Sequence, residues 1–160
     1  MNDYLLFLET LYRAAKKMRI DGPRSIVKHL NSPAKSRILL PVAEKLPVAP
    51  FMFDSLQMLV AGLSLEDLTF YMDGYRHRLI AHEKADVHLV NLVFRTIWAI
   101  AHVGWEPIMC TEFGRATIPA AMSLPRSEWL EHCNNFEVDR TQTVSNWDLM
   151  LEEMSKSDLQ

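Results

Sequence analysis

Cysteine is scarce in this 160-residue chain, with only Cys110 and Cys133 present. Two thiols cannot build a disulfide framework, and a reducing compartment is the simplest reading. The low counts of glycine (5) and proline (8) exclude collagen-like and low-complexity classes. Long apolar runs are also missing. The longest stretch without a charged residue, between Asp54 and Glu66, has 11 residues, against the ~20 that a membrane-spanning helix needs. The opening segment, MNDYLLFLETLYRAAKK, carries its acids first and its bases last. That order is the reverse of a secretory leader, so it reads as an amphipathic helix. Apolar residues make up 49% and charged residues 23%, which excludes disorder for most of the chain and points to one globular core.

The net charge of −3 hides an uneven distribution. Residues 13–37 hold Arg13, Lys16, Lys17, Arg19, Arg24, Lys28, Lys35 and Arg37 against the single acid Asp21. Residues 127–160 hold eight acids and two bases. Such asymmetry is either a solvated helix face or a surface that steers a partner of opposite sign. Only Tyr12 interleaves with the basic cluster, which disfavours a nucleic-acid role.

Apolar spacing predicts helices throughout, and the expected class is all-α. Asn2 or Asp3 caps a helix over about 4–18, whose Leu5, Leu8, Leu11, Tyr12 and Ala15 recur at threes and fours. Gly22-Pro23 stops it and starts another. Ser32-Pro33 predicts a helix over 33–40, and a further helix over 50–61 ends at Gly62. Ser64 with Asp67 starts a pattern that runs from Leu65 to about Val103 without proline. Its stripe of Leu65, Leu68, Met72, Tyr75 and Leu79 lapses over His82–Asp86, then resumes with Leu89, Val93, Ile97 and Ile100. Turn residues are scarce in the lapse and helix formers common, which favours one continuous helix over a hairpin. Such a helix would be about 58 Å long at ~1.5 Å per residue. It would call for a second chain to cover its stripes, so self-association as a homo-oligomer is expected. A last helix fits 125–134. The bundle occupies 1–136, and the acidic tail over 137–160 reads as partly disordered or as a short helix around Trp147–Met154.

The residues offer little chemistry. His82-Glu83 begins like a zinc-protease motif but has Asp86 where the second histidine belongs. His77 and His82 are five apart, and His82 and His88 six apart, so neither pair shares a helix face. Cys133 follows His132 directly and cannot pair with it as nucleophile and base on one helix. Cys110 has no evident partner. Phosphate loops, nucleophile elbows and C-x-x-C are absent. No metal, no cofactor and no enzymatic activity are expected. The tryptophans at 98, 105, 129 and 147 read as core or interface anchors.

Three blocks carry a further signal. The first runs from Leu11-Tyr12-Arg13 through Arg19 to Gly22, then Ser25, Asn31, Pro33, Ser36 and Ile38. The second is FMFDSLQMLVAGLSLEDLTFYMD, Phe51 to Asp73. The third is GWEPIMCTEFGRATI, Gly104 to Ile118, followed by PRSEWLEHC, and Glu112-Phe113-Gly114-Arg115 is its most specific run. Together these resemble the cytoplasmic part of the flagellar motor stator MotA, of the MotA/TolQ/ExbB proton channel family, without its membrane helices. The resemblance implies an all-α module on the cytoplasmic face of the bacterial inner membrane. It implies no ion conduction by this chain itself, because the conducting helices are missing. What remains is contact with the rotor switch protein FliG, and with other stator subunits. In the family a basic and an acidic residue engage the rotor. The basic one falls on Arg19 and the acidic one on Val27. Arg13, Lys16, Lys17, Arg19 and Lys28 are therefore the candidate partner-binding residues. Arg13, Lys16 and Lys17 share a face, while Arg19 stands about 200° round from Lys17 at ~3.6 residues per turn. The alternative is a helical adaptor of the same fold with a different protein partner.

Overall fold

The computed structural model describes residues 2–102 and 106–136. Among the described residues there is no strand, and the chain is all-α. The helices are α1 (Asp3–Asp21), α2 (Val27–Asn31), α3 (Val48–Val60), α4 (Leu65–Ala81), α5 (Val87–Ala101), α6 (Pro107–Arg115) and α7 (126–136). Tight 3-10 turns occupy Pro23–Ile26, Pro33–Lys35, Leu40–Val42 and Ala120–Met122. Contacts divide the chain after Ser123 into two compact units.

In the first unit the apolar stripes meet around α5, which packs against α1, α3, α4 and α6. Phe7, Leu8 and Leu11 of α1, Phe51, Met52 and Leu56 of α3, Leu68 and Met72 of α4, and Val93 and Ile97 of α5 are all fully buried. Each large side chain of this kind contributes roughly 1.5–3 kcal/mol on leaving water. The caps are local. Asn2 Oδ1 accepts from the Leu5 amide at 2.9 Å, and Ser64 Oγ accepts from the Asp67 amide at 3.1 Å. α3 ends in a Schellman closure, with the Gly62 amide donating to the Leu59 carbonyl and the Leu63 amide to that of Met58.

The continuous helix expected over 65–103 does not form. The chain breaks at His82–Asp86 into α4 and α5, which pack on each other. Asp86 makes the break: one of its oxygens caps α5 by accepting from the amides of His88 at 2.8 Å and Leu89 at 3.3 Å. Its other oxygen accepts from the Tyr4 hydroxyl of α1. Lys84 takes a positive φ of 50°, and the amides of Glu83 and Ala85 both return to the Leu79 carbonyl. Two helices covering each other's stripes remove the reason for which a second chain was expected.

The helix expected over 33–40 is replaced by the turns at Pro33–Lys35 and Leu40–Val42. Ser36, 4% exposed, is the cause. Its Oγ accepts from the amides of Ile38 at 3.1 Å and Leu39 at 3.0 Å, drawing them out of a helical ladder. In the second unit, α7 starts one residue after Pro125, whose carbonyl accepts from the Trp129 amide at 3.0 Å. Its Trp129, His132 and Phe136 rings contact one another in succession. The expected acidic tail over 137–160 and the short helix at Trp147–Met154 lie outside the described residues.

Candidate partner-binding surface

The basic segment is shaped by the reversal after α1. Gly22 adopts φ 89° and ψ 158°, a conformation open in practice to glycine alone, and Pro23 then begins a 3-10 turn. The Ser25 hydroxyl lies 2.6 Å from the Gly22 carbonyl and 3.2 Å from that of Lys17, so it fastens the turn to the end of α1. Ile26, fully buried, pins the same turn from below. α2 follows, and its His29 Nδ1 lies 2.8 Å from Ser36 Oγ, which holds the returning chain.

These constraints bring Lys17, Arg24 and Lys28 around one concavity of about 390 Å³, with Ser25, Val27 and Asn31 completing its lining. Lys17 pairs with Asp21 on α1. His29 stands beside this charge. Its pKa is pushed down, first by burial and then by the charges of Lys28 and Lys17.

The candidate residues do not all gather here. Lys17 and Lys28 do, and Arg24, counted among the bases but not singled out in the sequence, joins them. Arg13 instead pairs with Glu9 at 2.9 Å along α1. Lys16 lies over the Tyr12 ring, 5.8 Å from its centroid. Arg19 sits in the last turn of α1, where its cation also suits the helix dipole. It reaches Glu106, the residue before α6, at 2.6 Å. It borders a different hollow, apolar, shared with Met18, Leu59, Ile100 and Cys110.

The Glu112–Arg115 run has a packing role. Arg115 Nε and one terminal nitrogen each lie 2.9 Å from a Glu112 carboxylate oxygen, a bidentate pair within α6. Gly114 is buried against α5. A Cβ there would stand 2.1 Å from Thr96 Oγ1 and 3.0 Å from the Leu92 carbonyl. Phe113 faces outward and meets the Trp98 ring at 6.2 Å between centroids.

Cys110 is buried, and burial pushes its thiol up to about 11. No group of three or more His, Cys, Asp or Glu side chains is placed to hold a metal among the described residues. No helix among them is long and apolar enough to cross a membrane.

Comparison with family models, curated proteins and solved structures gives no match for this chain.

Proposed function

We propose that this chain is a non-enzymatic module of the MotA stator type, acting on the cytoplasmic side by contact with the acidic surface of a rotor switch protein. The observation that carries the reading is the convergence of Lys17, Arg24 and Lys28 on one concavity. It lies in the segment whose residue order resembles the rotor-facing part of the family. Exposed cations of this kind raise association rate and set partner sign more than they add affinity. The working residues are then Lys17, Arg24 and Lys28, with Arg19 contributing to the fold through Glu106.

Titration of purified FliG against the full chain tests this. Arg24→Glu with Lys28→Glu should slow association at least ~10-fold, and added salt should mimic the loss, because exposed charges are screened beyond ~8 Å at physiological ionic strength. A folded double variant that binds FliG like the parent at low salt would end the reading.

A second reading, a helical adaptor with another acidic protein partner, is favoured by two observations. Val27 lines the concavity where the resemblance calls for an acid. Arg19, which the resemblance makes the rotor contact, is held by Glu106. This reading expects no binding to FliG at any salt, with retention of the parent chain on an acidic peptide surface and loss of retention in the same double variant.

A further inference from the structure

The outer face of α4 carries two features that the other described residues do not use. Phe70 is 84% exposed, more than any other large apolar side chain among the described residues. Gly74, one turn further on, stands in the helix interior, and among the described residues nothing outside its own helix backbone and chain neighbours lies within 4 Å of the place its Cβ would take. Glycine inside a helix is less stable than alanine by about 1 kcal/mol, and close packing is one reason for a chain to carry it there. Gly114 has such a reason within the chain, and Gly22 and Gly62 have positive φ; Gly74 has neither. Phe70 and Gly74, four residues apart, share a face. Phe70 itself borders an open trough of about 640 Å³, together with Leu65, Glu66, Thr69, Asp73 and Trp98.

Charge is segregated along the same helix. Glu66, Asp67 and Asp73 precede Gly74, whereas Arg76, His77 and Arg78 follow it. Asp73 and Arg76 pair with each other. Arg78 lies over Tyr75 and pairs with Glu83 at 3.7 Å, yet its side chain remains 57% exposed and can also meet a second carboxylate.

We propose that this face is a two-fold interface between copies of this chain, with α4 of one copy crossing α4 of the other antiparallel and Phe70 seated on Gly74 of the second copy. A two-fold contact is self-complementary, so a projecting ring and a missing side chain on one patch satisfy each other twice. The register that sets Phe70 on Gly74 also brings Glu66 opposite Arg78 and Asp67 opposite His77. A parallel crossing would set like charges together. The trough beside Phe70 accommodates neighbouring side chains of the second α4, and Trp98 supplies an aromatic wall of the kind that anchors interfaces. This inference is independent of the partner reading, since Lys17, Arg24 and Lys28 lie on other elements.

Sedimentation of the full chain alone, from micromolar to millimolar concentration, tests the proposal. A reversible monomer–dimer equilibrium is expected. Phe70→Glu and Gly74→Gln should each raise the dissociation constant at least ~10-fold. Far-ultraviolet circular dichroism should be unchanged in both, because both positions are exposed. Glu66→Arg and Arg78→Glu should each weaken the dimer, and their combination should restore it, since the reversed pair is again of opposite sign. A chain that stays monomeric at millimolar concentration, a trimer or larger ring, or a dimer indifferent to Phe70→Glu would overturn the interface. Single charge variants that weaken the dimer without recovery in the double variant would overturn the antiparallel register.

Discussion

Alanine at position 114 is a sharp test of how α6 sits on α5. Two effects oppose each other. Alanine is the better helix former by about 1 kcal/mol, so on propensity alone Gly114→Ala should stabilise the chain. Against this, the new methyl would lie 2.1 Å from Thr96 Oγ1. That oxygen cannot simply turn away, because Thr96 is fully buried and its hydroxyl donates to the Leu92 carbonyl at 2.8 Å. The same carbonyl stands 3.0 Å from the new Cβ, so moving the hydroxyl alone does not clear the space. Overpacking of a core costs about 1–3 kcal/mol, and a buried hydroxyl that loses its acceptor costs about 1–3 kcal/mol more. The net expectation is destabilisation by roughly 1–5 kcal/mol, read as a fall in urea midpoint with unchanged slope. Thr96→Ala removes the nearest atom. In a double-mutant cycle the two substitutions should couple by at least ~1 kcal/mol, with Gly114→Ala far milder in the Thr96→Ala background. A Gly114→Ala chain as stable as the parent, or strictly additive effects in the cycle, would refute the packing argument.

The Tyr4–Asp86 bond makes a pH-dependent prediction. Burial works to raise the Asp86 carboxyl, yet the hydrogen bonds from Tyr4 and from the His88 and Leu89 amides outweigh it and hold the pKa below the ordinary value of 3.8. A lowered carboxyl contributes stability at neutral pH that is lost as pH falls through the folded value. Tyr4→Phe should therefore destabilise at pH 7, and the difference from the parent should shrink under acid, as urea titrations at several pH values would show. The Tyr4 phenol, raised to about 12 chiefly by its bond to Asp86, contributes in the opposite sense. That part is present below pH 10 and lost as the phenol ionises above it. His29 is lowered from 6.5, so the unfolded chain binds its proton first and stability should decline as pH drops below that value. His29→Gln should flatten this slope. An acidic partner seated on Lys17 and Lys28 should raise the His29 pKa, which imidazole resonances in a magnetic-resonance titration would report.

Much of the helical plan was legible because its signals are local. The stripes of α1, α4 and α5, the Asn2 and Ser64 caps and the stop at Gly22 all act within a few residues of where they are read. The break at His82–Asp86 was not legible. A lone aspartate among helix formers becomes a helix start when its second oxygen is claimed by Tyr4, and that claim exists only after α1 has docked. The 33–40 stretch failed similarly, since Ser36 diverts two amides while it is itself held by His29. At the candidate surface, charge counting located the segment but not the members. Which cations face one concavity depends on the turn that Gly22 and Ser25 impose, and Arg19 is drawn elsewhere by an acid distant in sequence. The Glu112–Arg115 run was singled out as a motif, but the close approach that requires its glycine appears only with α5 in place.

The Asn2 side-chain amide donates to the Met122 carbonyl at 3.2 Å, so the first and last segments of the first unit meet at one point on its surface. A fold with touching ends is topologically a closed loop. It can be cut open elsewhere or spliced into a host chain without stretching either. The exposed turn at Ala61–Gly62 offers such an opening, and a short linker from residue 122 to residue 2 would close the ring. The same proximity means that a host loop receiving this unit need only part by a few ångströms to hold it.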